Sequence, residues 1–198
     1  MTPKLDALRA QIAELQAQLA RELGAGQESL RYTLHRGRAV FDAETRAAHL
    51  AAREGAAEFL SHTRLLIVLT APFIYSLILP FALLDLFVTV YQVVCFPVYR
   101  IEKVRRADHI LFDRQLLGYL NLMQKLNCVY CSYCNGLISY VREIAGRTEA
   151  YWCPIKHSRR LSDTHAHHAD FVAYGDAAAW QVRLDTQRKS ARVRKPQP

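Results

Sequence analysis

Apolar residues recur at helical spacing from the start of the chain. Leu5, Leu8, Ile12, Leu15 and Leu19 stand three and four apart, which places all five on one seam with polar residues and alanine elsewhere. Residues 1–23 are therefore expected to form an amphipathic heptad helix, stopped by the run Gly24–Gly26. Two to three heptads are short for an independent coiled coil. The seam is expected either to join a second copy of the chain in a homo-oligomer or to pack on a later helix. Residues 27–64 read as a short hairpin around "HRGR", then an alanine-rich helix with Asp42 as N-cap, leading toward a membrane.

The pattern changes at Leu65. From there to Ile101 the chain is almost continuously apolar, with Asp85 as its one charge before Arg100. A straight helix of this length would reach on the order of 55 Å, nearly twice the roughly 30 Å hydrocarbon core of a bilayer. Pro80 near the middle removes a backbone hydrogen bond and favours a break. Residues 65–100 are expected to form a membrane segment: a Pro-broken transmembrane or re-entrant helical hairpin with Asp85 near its bend, or one tilted, kinked span. Tyr75, Tyr91, Phe96 and Tyr99 are candidate interfacial anchors.

Beyond it, Ile110, Leu111, Leu117, Leu120, Met123 and Leu126 repeat at helical spacing, with room for two or three helices over residues 101–160. Residues 161–198 read as a histidine-containing loop and a basic, disordered tail.

Charge sharpens this picture. The net charge of +8 belongs to the part after the apolar run, where seventeen Lys and Arg face nine Asp and Glu. Arg100, Lys103, Arg105 and Arg106 follow the apolar run directly, where basic residues mark the cytoplasmic side and meet anionic lipid. No nucleic-acid-binding signature accompanies the basic residues, so a lipid bilayer is the expected partner rather than nucleic acid. The first twenty residues lack the apolar core of a signal peptide, and both termini are expected in the cytoplasm.

Four of the five cysteines lie in "NCVYCSYCNG" and "YWCPIKH". Cys128 and Cys131 are three apart, and Cys153 and His157 four apart, so each pair could grip one ion from one helical turn. Together they offer the four ligands of a tetrahedral Zn2+, structural because no position stays open for water. Cys134 extends the first motif to CxxCxxC. With Cys153 before Pro154 this opens an alternative, iron or an iron–sulfur cluster in an electron-transfer protein. A thiol redox pair, or no site, remain as further readings. Disulfides do not suit a cytoplasmic location, and Cys95 inside the apolar run reads as a small buried hydrophobe. His165, His167 and His168 form a cluster that reads first as a polar loop and second as additional metal ligands. Glu143 and Glu149 could assist a metal or act as acid–base groups, although Arg142 and Arg147 beside them favour ion pairing. An enzyme acting on a membrane or lipid-linked substrate would draw on these carboxylates and histidines, yet no nucleophile–base pair or phosphate loop supports one.

From "TAPFIYSLILPF" through "NCVYCSYCNG" to "RTEAYWCPIKH", about residues 66–160, the chain resembles a family of uncharacterised bacterial integral-membrane proteins. The resemblance implies a bacterial inner-membrane location and supplies no activity. A small residue such as Ala often stands in that pattern where this chain has Cys134, which favours Cys128, Cys131, Cys153 and His157 as the ligand set. The expected fold is thus mainly α: a membrane-anchored helical protein with a small metal-stapled helical cytoplasmic domain, acting in binding or assembly at the membrane.

Overall fold

The computed structural model of the chain describes residues 3–28, 32–35 and 38–193. It is mainly helical, with one small hairpin. Helix α1 spans Pro3–Glu28 and runs through the expected stop at Gly24–Gly26. Each glycine there costs about 1 kcal/mol against alanine but leaves the backbone hydrogen bond intact. Leu8, Ile12, Leu15 and Leu19 are all at least half exposed, so this seam is not packed on a later helix. The side chain of Leu5 lies outside the described residues.

Strands β1 (Tyr32–His35) and β2 (Arg38–Phe41) pair antiparallel, Tyr32 opposite Phe41, as the hairpin expectation required. Its tip, Arg36 and Gly37, lies outside the described residues. Asp42 caps helix α2 (Ala43–Ala51), its carboxylate accepting from Thr45 N at 2.7 Å. The alanine-rich stretch then divides at Gly55, the N-cap of helix α3 (Ala56–His62), rather than forming one helix.

Helices α4 (Leu65–Ser76) and α5 (Ile78–Tyr99) follow one another through Leu77, itself in right-handed helical conformation. They form a single apolar segment, Leu65–Tyr99, long and apolar enough to cross a membrane. The hairpin expected here is not formed. The interruption nonetheless has the expected cause, because Pro80 has no N–H for Ser76 O four residues earlier, and its ring crowds that carbonyl. Such a defect bends a helix without reversing it.

Helix α5 ends in a Schellman motif, with Ile101 N donating to Phe96 O at 2.9 Å and Arg100 N to Pro97 O at 3.2 Å. Arg100 occupies the left-handed position (φ 58°) where glycine is usual. Residues 101–121 then run back along α5 as an irregular return segment with two short 3-10 turns, Arg106–Asp108 and Arg114–Leu116. The several helices expected over 101–160 are replaced by this segment and one long helix, α6 (Leu122–Trp152). An Asn121–Gln124 capping box starts α6, Gln124 N donating to Asn121 Oδ1 at 3.0 Å and Asn121 N to Gln124 Oε1 at 2.9 Å.

Because the return segment recrosses the length of α5, α6 lies parallel to it. Tyr130 OH donates to Ile74 O at 2.7 Å, and Tyr133 OH to Asp85 at 2.9 Å. Gln92 Nε2 donates to Tyr140 OH at 2.8 Å, and Tyr99 stacks on Tyr151. The core fills the space between the three elements: Phe96 from α5, Val104 and Ile110 from the return segment, Leu137, Tyr140 and Ile144 from α6. Two polar groups fasten it. Gln92 accepts from Val104 N at 2.6 Å and donates to Val104 O at 3.3 Å, so one side chain satisfies a buried backbone unit. Asp85 accepts from Arg106 (Nη2 to Oδ2, 2.7 Å), and that contact, ahead of its burial, holds the Arg106 guanidinium more firmly charged.

Three sequence expectations change here. Phe96 is fully buried, and Tyr91 reaches Thr148 with its hydroxyl at 3.0 Å, so both serve the core rather than an interface. Tyr75 bonds Asn127 on α6 and meets the Tyr130 ring edge-on. Arg106, expected at the lipid, is spent on Asp85. The tail expected to be disordered is helical from Ala177 to Val193 (α7), and residues 194–198 lie outside the described residues.

Candidate functional site

Helix α6 is unbroken from Leu122 to Trp152, and this decides the fate of the cysteine motif. Cys128 and Cys131 lie near its start, Cys153 caps its end, and His157 follows. At 1.5 Å per residue, Cys131 and Cys153 stand about 33 Å apart along the axis. The expected Zn2+ set of Cys128, Cys131, Cys153 and His157 therefore does not meet within one chain. The same separation removes Cys153 from an iron–sulfur set with Cys128, Cys131 and Cys134. Among the described residues, no three His, Cys, Asp or Glu side chains are arranged to hold a metal ion. The five cysteines are free thiols; Cys131 and Cys153 are exposed, Cys95 and Cys128 partly covered, and Cys134 buried. Burial pushes the Cys134 thiol up, against a contact from Tyr130.

The structure instead assembles the residues that the sequence left as a polar loop. Glu143, Gly146 and Glu149 stand at intervals of three on α6, one above another on a single face. Residues 165–171, including a 3-10 turn at Ala166–Asp170, close over that face. His167 Nε2 lies 3.1 Å from Glu143 Oε1, and His165 Nε2 lies 2.8 Å from Glu149 Oε2. The result is two carboxylate–imidazole pairs, with Gly146 between them making room for the rings. A Cβ on Gly146 would sit 3.0 Å from His165 Cγ and Nδ1 and 3.1 Å from His167 Cδ2.

His168 joins the cluster through its ring, 6.1 Å from that of His165 and 6.5 Å from that of His157. Phe171, buried, packs against both His165 and His168. Val172 N donates to Pro154 O and Lys156 N to Val172 O, each at 2.8 Å, which fastens the loop to the chain leaving α6. On the other side Arg147 donates to Glu143 at 2.7 Å and to Glu102 O at 2.7 Å, linking the cluster to the return segment. Arg142 pairs with Asp163 at 2.9 Å.

The electrostatics follow from these contacts. Burial raises the Glu143 carboxyl, but hydrogen bonds from Arg147 and His167 together outweigh it and hold Glu143 below the ordinary glutamate value. An imidazole that donates its Nε2–H to a carboxylate is oriented by it and keeps the lone pair on Nδ1. Nδ1 of His165 and Nε2 of His168 are buried and have no hydrogen-bond partner.

His165, His167, Glu143 and Glu149 are thus brought together, while the cysteine ligands are not. The signal that could have found the cluster is the small residue Gly146 flanked three residues either side by carboxylates, together with a loop of three closely spaced histidines. Compared with protein-family models, curated proteins and solved structures, the chain matches none.

Proposed function

We propose that this protein attaches to one face of a bacterial inner membrane and acts there in binding or assembly, presenting α6 and its histidine–carboxylate cluster at the lipid surface. The observation that carries this reading is the apolar surface of Leu65–Tyr99. Leu79, Leu83, Leu86, Phe87, Val90 and Val94 form an exposed outward row on α5, and α4 is exposed along most of its length. Exposed apolar surface this continuous marks an interaction site, and a bilayer is its natural solvent.

Attachment in the plane of the membrane fits the geometry better than a crossing. Side chains of α6 lie along the segment from Ile74 to Tyr99, Tyr130 OH reaching Ile74 O and Tyr151 stacking on Tyr99, so one flank of the segment is already taken by protein. Arg100, Lys103 and Arg105, exposed or partly so at the far end, supply positive charge for anionic lipid. The exposed α1 seam offers a route to self-association. Zn2+ and iron do not enter this reading, because their expected ligands lie at opposite ends of α6.

Carbonate extraction and liposome flotation test it. Wild type floats with vesicles and stays with extracted membranes. A Phe87→Glu, Val94→Glu double variant is expected to lose on the order of a thousandfold in partitioning, at about 2.5 kcal/mol or more for each buried charge. Wild-type protein that is soluble and monodisperse without detergent overturns the reading. In sealed vesicles, cleavage by protease from the periplasmic face would replace in-plane attachment by a span.

A further inference from the structure

Directly after α6 the chain forms an open cleft of about 450 Å³, bounded by residues 156–164 and His168. Lys156, Arg159 and Arg160 bring three cations to it, and none of the three is in an ion pair among the described residues. Ser158, Ser162 and Thr164 add hydroxyl donors. Asp163 is the one carboxylate in the lining, and Arg142 neutralises it at 2.9 Å. The C-terminus of α6 points its negative dipole end here, about half an elementary charge, which three cations outnumber.

The lining also carries an unsatisfied polar atom. Nε2 of His168, a residue of the lining, is buried and has no hydrogen-bond partner. Burying such a nitrogen without a partner is costly. The floor is rigid, because Lys156 N donates to Val172 O while Pro154, fully buried, receives Val172 N. Guanidinium forks, an ammonium and hydroxyls together match an anion with several acceptor oxygens on one centre, more closely than they match a planar carboxylate.

We infer that this cleft is a binding site for a phosphate group, carried by a phosphomonoester or phosphodiester. The group could belong to a lipid headgroup or to a soluble phosphate ester. Tyr99, Tyr151 and the exposed Trp152 form an aromatic cluster at the end of α6, from which the chain runs into the cleft at Lys156; such a cluster would set a headgroup at the level of the membrane interface. The inference does not depend on membrane attachment, since a soluble probe can occupy the same cleft.

The test uses full-length protein in maltoside micelles, which contain no phosphorus. Titration calorimetry is run with inorganic phosphate and, separately, with dihexanoyl phosphatidic acid. Saturable binding is expected, weakened about tenfold or more by Lys156→Ala and by Arg160→Ala and unchanged by Arg53→Ala, an exposed residue outside the cleft. Binding of the lipid alone assigns a headgroup, and binding of both probes assigns the phosphate group itself. Circular dichroism verifies that each variant keeps its helix content. Failure of both probes to saturate, or an equal loss with Arg53→Ala, overturns the site. Neither result bears on liposome flotation, so the two proposals fail separately.

Discussion

Gly136 is the position where one methyl group should separate the return segment from α6. A Cβ built there lies 2.7 Å from His109 O, 2.9 Å from Ile110 Cα and 3.0 Å from Ile110 Cγ1. Two of these three atoms are backbone, so no rotamer change relieves them. In Gly136→Ala the return segment must retreat by about 0.7 Å to restore an ordinary contact of 3.4 Å. That movement loosens Ile110 and Val104 from Leu137 and Tyr140. Overpacking costs about 1–3 kcal/mol, and a backbone clash belongs at the upper end. Alanine returns about 1 kcal/mol of helix propensity. The net is a destabilisation of about 2 kcal/mol, a fall in Tm of about 4–8 °C for a chain of this size. Thermal melts by circular dichroism in detergent measure it, and limited trypsinolysis at Arg105 and Arg106 reports whether the return segment is released. Gly55→Ala is the control, since the nearest atom to its Cβ is 4.0 Å away. A Gly136→Ala protein that melts at or above wild type, with unchanged cleavage, refutes this close packing.

Three further outcomes follow from the same packing. Gln92→Leu strands the N–H and carbonyl of Val104 and the hydroxyl of Tyr140, and should cost about 2–4 kcal/mol in chemical denaturation. Arg100→Gly should stabilise by about 1 kcal/mol, because glycine adopts the left-handed C′ position without the Cβ penalty; an unchanged or lower Tm counts against it. Since Glu143 is held below the ordinary glutamate value when folded, its contribution to stability is complete above that value and lost as pH falls through the depressed one. Melting temperature followed from pH 6 to pH 3 should therefore fall less steeply in Glu143→Gln than in wild type.

What could be read in advance was local. The Asp42 cap, the hairpin around residues 36–37 and the α1 seam depend on side chains within a few positions of one another. The Pro80 defect was also legible, although not its outcome, because a missing hydrogen bond bends a helix without saying where the next element goes. The cysteine pairing failed for a specific reason. It assumed that the 21 residues between Cys131 and Cys153 would turn back, yet residues 132–152 contain no proline to stop a helix. Their two glycines are points of close approach, Gly136 to the return segment and Gly146 to the histidines, rather than breaks. The Asn121–Gln124 capping box was written plainly and marks the start of α6. The histidine cluster joins residues up to 24 positions apart through a loop, and no periodicity carries that information.

The parallel placement of α5 and α6 also sets an order of events during synthesis. An antiparallel neighbour could cover α5 as soon as a short turn had been made, but the partner of Tyr99 is Tyr151, and Phe96 is sealed only when the return segment and α6 have both been laid down. At about 5–20 residues per second, the ribosome needs roughly 3–10 s to travel from Tyr99 to Trp152. Through that interval α5 is apolar on both sides except at Asp85, Thr89 and Gln92, and an aqueous compartment offers it nothing but aggregation. A lipid surface met early would hold its outward row and leave the inward row waiting for its cover. Assembly of this fold would then be a vectorial process, with capture at the membrane preceding formation of the core rather than following it.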